Sequence, residues 1–192
     1  MSKKRLNHLL IGKEKDSMKI GLDSWIIQDG NYTDLSVGDI LSFALEFFSE
    51  SFVVSNDGQL SCKHLQNSHY QITARVTFKE DDLTIIDFGH YAYSESKVEA
   101  EIGQWLTGKF YIGVDPFMYF ESWEKQLHVP KIKSKWRIDH IYLETTPWIE
   151  ENPKRLVRDK SRFSEIEITK TNAWRDDNGR ASYNLECTEI GE

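Results

Sequence analysis

Three side chains near one predicted hairpin carry the functional groups of a metal site or of acid–base catalysis. His69 begins a predicted strand, and Asp87 and His90 lie at the end of the predicted return strand. An antiparallel hairpin turning at 79–82 would bring His69 near residue 92, and a carboxylate beside imidazoles can bind zinc or transfer protons. Histidines at the mouth of a hairpin are more often ordinary surface groups, so this arrangement gives only a weak signal.

No motif of a known enzyme chemistry accompanies these residues. The chain lacks GxSxG, HExxH, P-loop and GxGxxG patterns, and neither cysteine lies in a catalytic context. Asp139 and His140 are neighbours on a predicted strand, where consecutive side chains point to opposite faces and so form no dyad. We therefore predict no catalytic residue, no metal ligand and no cofactor, and we favour a protein that acts by binding.

A basic and aromatic segment is one candidate binding surface. Residues 125–163 contain ten basic and five acidic side chains, whereas the whole chain has a net charge of -7. Flat rings beside cations hold single-stranded nucleic acid on OB-like barrels, although a negative protein disfavours this partner. The other interpretation is a solvated loop with one or both tryptophans in the core. The candidate residues are Lys133, Lys135, Trp136, Arg137 and Trp148.

Acidic side chains in several loops form the surface that the sequence favours. They are Glu46, Glu50, Asp57, Glu80, Asp81, Asp82, Glu95, Glu99 and Glu101. A negative field of this kind steers a basic protein partner, as in an inhibitor that occludes its target. Ordinary solubilising charge would give the same composition. The favoured function is therefore a protein interaction through acidic loops.

A third alternative, a small-molecule binder or enzyme, rests on the apolar run WLTGKFYIGVDPFMYFE. Tyr111, Tyr119 and Trp105 are expected to line an aromatic pocket. Gly108 and Gly113 lie in the same run, where a missing side chain marks either a bend in the sheet or a ligand against bare backbone. The bend is the more ordinary of these two interpretations.

Composition indicates a folded protein of the cytosol. Hydrophobic residues make up 39% of the 192 residues, but no apolar run approaches the roughly 18 residues that a membrane helix needs. The N-terminal apolar run, Leu9 to Ile11, is too short for a secretory signal. Cys62 and Cys187 have no metal-ligand spacing and are predicted free thiols, with Cys187 on a buried face. The sequence does not specify an oligomeric state.

Alternating apolar and polar residues predict an all-β fold. We expect nine to eleven strands in an antiparallel barrel of OB-like type or a sandwich, with little helix. The clearest strand is 69–78, which returns through a turn at 79–82. Residues 39–50 fit both the strand and the helix period, and their phenylalanines favour a strand. Glycine-containing turns at 56–58 and 176–179 predict two further hairpins.

The predicted domain organisation is a tail followed by one domain. Residues 1–16 are polar and charged and are predicted to be flexible. Residues 17–192 are predicted to form a single all-β domain. Within it, 145–162 carries two prolines among many charges and is predicted to be a long surface loop, the kind of segment that often carries function.

Overall fold

Strands dominate the fold, and the all-β prediction is confirmed. The computed structural model describes residues 17–153 and 155–190, so the predicted tail, 1–16, lies outside the described residues. The described ranges contain fourteen strands, more than predicted, because 39–50 forms two strands and 145–162 adds two more. No helix within these ranges has the length and hydrophobicity needed to cross a bilayer.

The elements follow one another in this order: β1 (Met18–Asp23), α1 (Ser24–Gln28), β2 (Ile40–Phe43), β3 (Leu45–Phe48), β4 (Phe52–Ser55), β5 (Ser61–Gln66), β6 (His69–Glu80), β7 (Leu83–Asp87), β8 (Tyr91–Ser94), β9 (Trp105–Val114), a π-helical turn (Tyr119–Trp123), β10 (Ser134–Glu144), β11 (Trp148–Asn152), β12 (Arg155–Arg158), a 3₁₀ turn (Lys160–Arg162), β13 (Glu165–Ile168), a second 3₁₀ turn (Asp176–Gly179) and β14 (Ser182–Ile190).

Five strands close a barrel in the order β9, β3, β8, β7 and β6, with β6 pairing back to β9. β3 and β8 are parallel, and the other four pairs are antiparallel. Tyr70, Ile72, Ala74 and Val76 occupy one face of β6, and all four are buried as the alternation predicts. The barrel alternative of the fold prediction is therefore confirmed.

A second group of strands lies beside the barrel. β10 pairs with β14 along one edge and with β2 and β13 along the other, and β14 pairs with β1. β1 meets β9 at one parallel pair, Gly21 with Gly113. The Tyr111 ring occupies the space that a side chain at either glycine would need. Glycine at both positions therefore lets the second group approach the barrel next to Tyr111.

Residues 145–162 form a hairpin and a 3₁₀ turn instead of the predicted long loop. β11 and β12 pair antiparallel, with Trp148 opposite Arg158. Both side chains donate hydrogen bonds to Asp177, which ties the hairpin to the loop before β14. The two prolines flank β11, where their missing amide hydrogens interrupt no strand ladder. The two prolines therefore lie at the ends of a strand, whereas their presence in the sequence predicted a loop.

The outer face of β7 and β8 is covered by the segment 115–133. A second, smaller core forms there from Ala44, Leu83, Ile85, Tyr93, Tyr119, Val129 and Ile132. Asp115 begins the covering segment, and its carboxylate accepts hydrogen bonds from the Tyr93 hydroxyl and from the Tyr119 and Phe120 amides. This part of the barrel wall is therefore occupied by the chain itself.

The turn motifs in the sequence predicted where the chain turns better than they predicted which strands pair. Residues 39–50 are strands, and the turn at 79–82 joins β6 to β7, both as predicted. The turns at 56–58 and 176–179 do not close hairpins, because β4 pairs with β9, β5 with β6, and β13 with β10. β4 and β13 pair instead with strands distant in the chain, and β5 pairs with the strand that follows it.

Candidate functional site

A groove with two lobes opens where the barrel meets the 145–163 segment. His69, Lys109 and Lys160 line both lobes and so mark its centre. The first lobe has a volume of about 190 Å³ and is otherwise lined by Phe48, Ser49, Glu50, Ser51 and Tyr111. The second has a volume of about 260 Å³ and is otherwise lined by Gln66, Asn67, Glu144, Thr146, Arg158 and Phe163.

The turn between β5 and β6 positions His69. Asn67 has a φ of 51°, a left-handed conformation that asparagine adopts more readily than most residues. The turn sets Gln66 opposite His69, and β6 then pairs His69 with Tyr111 of β9. The His69 ring packs against the Tyr111 ring with 5.5 Å between centroids and 61° between planes. The imidazole is therefore held against a neighbouring strand.

The surroundings of His69 favour the neutral form of its imidazole. Burial lowers its pKa below the ordinary value, Lys109 and Lys160 lower it further, and Glu50 opposes them. Its Nδ1 atom is buried and makes no hydrogen bond to a described residue. A neutral imidazole can donate from one ring nitrogen and accept at the other, so His69 has hydrogen-bonding capacity that no described residue uses at Nδ1.

Lys109 and Lys160 bring positive charge to the centre of the groove from two different elements. Lys109 lies on β9, two residues before Tyr111 and on the same face, and Lys160 lies in the 3₁₀ turn after β12. Within residues 17–153 and 155–190 neither ammonium group forms an ion pair. Two unneutralised ammonium groups beside a neutral imidazole favour an anion at this point.

Two further polar groups in the second lobe are buried without a hydrogen-bond partner among the described residues. They are Nε of Arg158 and Oδ1 of Asn67. The other Arg158 nitrogens are held by the Thr146 carbonyl at 2.6 Å and by Asp177 at 2.7 Å. Most buried polar atoms in folded proteins are paired, so several unpaired ones around one groove indicate a surface built for a polar ligand.

Comparison with known proteins gives no relative. No family model, curated protein or solved structure matches this chain. The function must therefore be argued from the groove itself.

Tyr111 closes the inner side of the first lobe. Burial raises the pKa of its hydroxyl far above the ordinary value, and the carboxylates of Asp23, Glu46 and Glu144 raise it further. The hydroxyl therefore stays protonated at every pH at which the protein is studied. Tyr111 can donate a hydrogen bond, but it does not serve as a base.

Glu46 makes a testable contribution to stability. Burial, with Asp115 and Glu95, raises its pKa from 4.5 to about 7. The folded state then binds a proton that the unfolded chain has lost, so stability falls as pH rises from 4.5 to about 7. We expect Glu46→Gln to remove this fall and to stabilise the protein above about pH 7 by up to about 3 kcal/mol, less what solvent screening removes.

Urea unfolding of both proteins at two pH values measures this effect. Near pH 4.5, where Glu46 is protonated in the folded state, the two unfolding free energies should nearly agree. A Glu46→Gln variant that is no more stable at about pH 8 than the parent would contradict the assignment. Glu99→Gln, on an exposed side chain paired with Lys97, is the matched control.

Trp136 is a core residue, which corrects its place in the candidate binding surface. Its side chain is 1% exposed and stacks on Phe43 with 5.7 Å between ring centroids. The indole is therefore not accessible to a base, in agreement with the interpretation that buries it. Arg137, the next residue on β10, forms an ion pair with Asp139 at 2.7 Å.

Lys133 and Lys135 line a separate cavity of about 510 Å³ that shares no residue with the groove. Lys133 is already paired with Glu124 at 2.9 Å. The basic residues of the 125–163 segment are thus divided between two places, and Lys160 and Arg158 are the ones that reach the groove.

Trp148 supports the groove from behind and does not line it. Its indole nitrogen donates to Asp177 at 2.8 Å. The guanidinium groups of Arg158 and Arg180 lie over its ring, at 4.1 and 5.5 Å from the centroid. The ring is therefore used in holding Arg158 at the second lobe.

The three aromatic residues of the predicted pocket are separated by the fold. Tyr111 lines the groove, but Tyr119 is fully buried in the second core, where its hydroxyl donates to the Pro130 carbonyl. Trp105 lies at the other end of β9, roughly 20 Å from Tyr111 at the usual rise per residue. Of the three, Tyr111 lines the groove, and Tyr119 and Trp105 do not.

The residues considered for a metal site are also apart. The β6–β7 ladder ends at Arg75 opposite Asp87, roughly 20 Å along β6 from His69. His90 pairs with Glu189 at 2.9 Å. In the part of the chain that the structure describes, no three His, Cys, Asp or Glu side chains are placed to hold a metal ion.

Sequence reasoning did not single out Lys109 or Asn67. The alternation on β9 places Lys109 and Tyr111 on one face, and this was the available signal. What joins them to His69 is the register of β6 against β9, and no local pattern specifies it. Asn67 became informative only once its turn was known.

Proposed function

We propose that this protein binds a small anionic group, such as a phosphate, sulfate or carboxylate, in the groove centred on His69, Lys109 and Lys160. The observation that carries the proposal is that two ammonium groups without an ion-pair partner line the same groove as His69, whose Nδ1 has no hydrogen-bond partner among the described residues. The proposal belongs to the third alternative of the sequence analysis, a small-molecule binder or enzyme. Of the three aromatic residues predicted for its pocket, Tyr111 lines the groove.

The chemistry of the lining supports an anion over a cation or a neutral apolar ligand. Lys109 and Lys160 offer charge, His69 Nδ1 and Arg158 Nε offer hydrogen-bonding atoms, and the concave wall lowers the local dielectric. Charge-assisted hydrogen bonds from such groups are stronger than neutral ones. The lysines also come from separate elements, so an anion between them would bridge the barrel and the hairpin region.

The acidic-loop hypothesis stays a prediction with less support than the groove. Lys79 joins the loops at 80–82 and 95–101, because its ammonium lies 3.6 Å from Glu101 and donates to the Ala100 carbonyl. Glu80 and Glu99 pair with a histidine and a lysine nearby. Glu99 and Glu101 thus lie beside a lysine, which neutralises part of the negative field locally.

A cytosolic location is part of the proposal. Cys62 and Cys187 are both free thiols, and Cys187 is buried as its position in the alternation predicts. Cys62 is exposed on β5. Unpaired cysteines are typical of a reducing compartment.

Calorimetric titration with sodium sulfate at low ionic strength tests the proposal. Sulfate keeps its charge across the working pH range, so only the protein titrates. We expect binding at one site, and we expect Lys109→Glu with Lys160→Glu to weaken it at least about a hundredfold, since each charged hydrogen bond contributes about 1.5–3 kcal/mol.

The matched control is Lys131→Glu with Lys135→Glu. This pair makes the same change of charge at the separate cavity and should leave sulfate affinity within about threefold of the parent, because exposed distant charges are screened by salt. Loss of binding in this control with retention in the Lys109 and Lys160 variant would place the anion elsewhere and overturn the proposal.

A further inference from the structure

The two lobes of the groove, which share His69, Lys109 and Lys160 as a cationic centre, are lined by the same kinds of side chain. The first lobe contains Phe48, which is 54% exposed, and the carboxylate of Glu50. The second contains Phe163, which is 37% exposed, and the carboxylate of Glu144. Each lobe thus offers one flat apolar ring and one hydrogen-bond acceptor, and the lobes meet at His69.

Exposed phenylalanines beside cations are suited to stacking with flat rings. A phenyl face left in water offers apolar area that a base can cover, and base stacking on aromatic side chains does not depend on base identity. Carboxylates such as Glu50 and Glu144 accept hydrogen bonds from the ring N–H and amino groups of bases and from sugar hydroxyls. The lobes therefore match two bases, each with donor groups at its edge.

The centre matches the group that would join two bases. Lys109 and Lys160 present charge to an anion, and His69 presents a buried ring nitrogen. Each lobe is smaller than the roughly 300–1,000 Å³ of a typical small-molecule site, so each suits part of a ligand and not the whole. A ligand with an anionic centre and two flat ends fits this division.

We infer that the ligand of the groove is a phosphodiester flanked by two bases, as in a dinucleotide or a short stretch of single-stranded nucleic acid. The inference rests on the proposed anion site and names its substrate class. The phosphodiester lies between Lys109 and Lys160, one base stacks on Phe48, and the other stacks on Phe163.

The net charge of -7 does not conflict with a local site of this kind. Screening at physiological salt limits the reach of distant carboxylates to roughly 8 Å, so the charges that act at the groove are those of its own lining, Lys109 and Lys160 with Glu50 and Glu144. Only one phosphate is engaged, so binding should depend only weakly on salt. The logarithm of the binding constant should fall with the logarithm of the salt concentration with a slope near minus one.

Calorimetry with three ligands tests the inference: sodium sulfate, dimethyl phosphate and a thymidine dinucleotide. Dimethyl phosphate carries the phosphodiester without bases. We expect the dinucleotide to bind at least about tenfold more tightly than dimethyl phosphate, because one stacked base contributes about 1–3 kcal/mol, or roughly five- to 150-fold.

Variants of the two rings separate stacking from charge. Phe48→Ala and Phe163→Ala should each weaken dinucleotide binding by roughly five- to 150-fold and leave dimethyl phosphate binding unchanged. Phe48→Leu and Phe163→Leu keep apolar volume without a flat face and should show most of the same loss. Trp174→Ala, at a side chain that is 69% exposed and lines neither lobe, is the matched control.

This experiment distinguishes failure of the two-base inference from failure of the proposed anion site. Sulfate and dimethyl phosphate binding that depends on Lys109 and Lys160, with a dinucleotide no tighter than dimethyl phosphate, overturns the inference and leaves the proposed function standing. A thymidine decamer that binds about as tightly as the dinucleotide identifies a two-base ligand. A decamer that binds more than about tenfold tighter identifies single-stranded nucleic acid, whose further nucleotides contact the protein beyond the groove.

Discussion

Replacing Asp115 with alanine is expected to destabilise the protein by about 3–5 kcal/mol, because two buried donors and one partly buried donor lose their acceptor together. Its carboxylate is 1% exposed and accepts hydrogen bonds from the Tyr93 hydroxyl at 2.5 Å, the Tyr119 amide at 3.1 Å and the Phe120 amide at 3.2 Å. Burial raises the pKa of Asp115, and these hydrogen bonds oppose the rise. The variant should release the segment that covers β7 and β8.

Denaturant unfolding of three variants measures this role. Tyr93→Phe removes one of the donors and should cost about 1–2 kcal/mol, clearly less than Asp115→Ala. The double variant should cost less than the sum of the two single variants, since the hydroxyl and carboxylate contact each other. Equal destabilisation by Asp115→Ala and Tyr93→Phe would show that the two backbone hydrogen bonds contribute nothing, contrary to this account.

Replacing Trp136 with alanine is expected to destabilise the protein by about 3–5 kcal/mol through loss of buried area and the cavity that remains. The indole stacks on Phe43 and contacts the His90 ring at 5.5 Å between centroids. Its Nε1 atom makes no hydrogen bond to a described residue. Trp136→Phe removes no hydrogen bond and should therefore cost clearly less than the alanine variant.

This experiment also decides between a core role and a binding role for Trp136. The exposed Trp174 is the control, and Trp174→Ala should change stability by less than about 0.5 kcal/mol. Folded Trp136→Ala protein should bind sulfate as the parent does. A variant that unfolds at the parent's denaturant concentration but no longer binds ligand would restore the tryptophan to the binding surface.

Alternation along the chain predicted the fold class because it reports burial directly. In the strand at 69–78, Tyr70, Ile72, Ala74 and Val76 enter the core together, so a single period of two is enough to assign the face. The same information does not contain the partner of a strand. β6 pairs with β7 across a short turn, which was predictable, and with β9, whose paired residues lie 30 to 42 positions away in the chain, which was not.

The candidate site was predictable only in fragments for the same reason. Tyr111 was identified from its aromatic run, and Lys160 was counted in the basic segment, but nothing local places either beside His69. Interleaved charge and aromatic residues in the 125–163 segment suggested one surface, whereas the fold buries Trp136 and turns Lys160 towards the groove. Residues that only the pairing of strands brings together can be identified as one site only when the strand register is known.

The most direct test of the anion site is an NMR titration of the His69 imidazole with and without sulfate. Without an anion, the account predicts a His69 pKa below the ordinary 6.5, because burial and the two lysines disfavour its charge. A bound anion between the lysines favours the charged imidazole and should therefore raise this pKa. By linkage, sulfate should bind more tightly as pH falls. His140, whose pKa the nearby Glu167 raises, lies outside the groove and should not respond. A His69 pKa that is unchanged by saturating sulfate would contradict the proposed function.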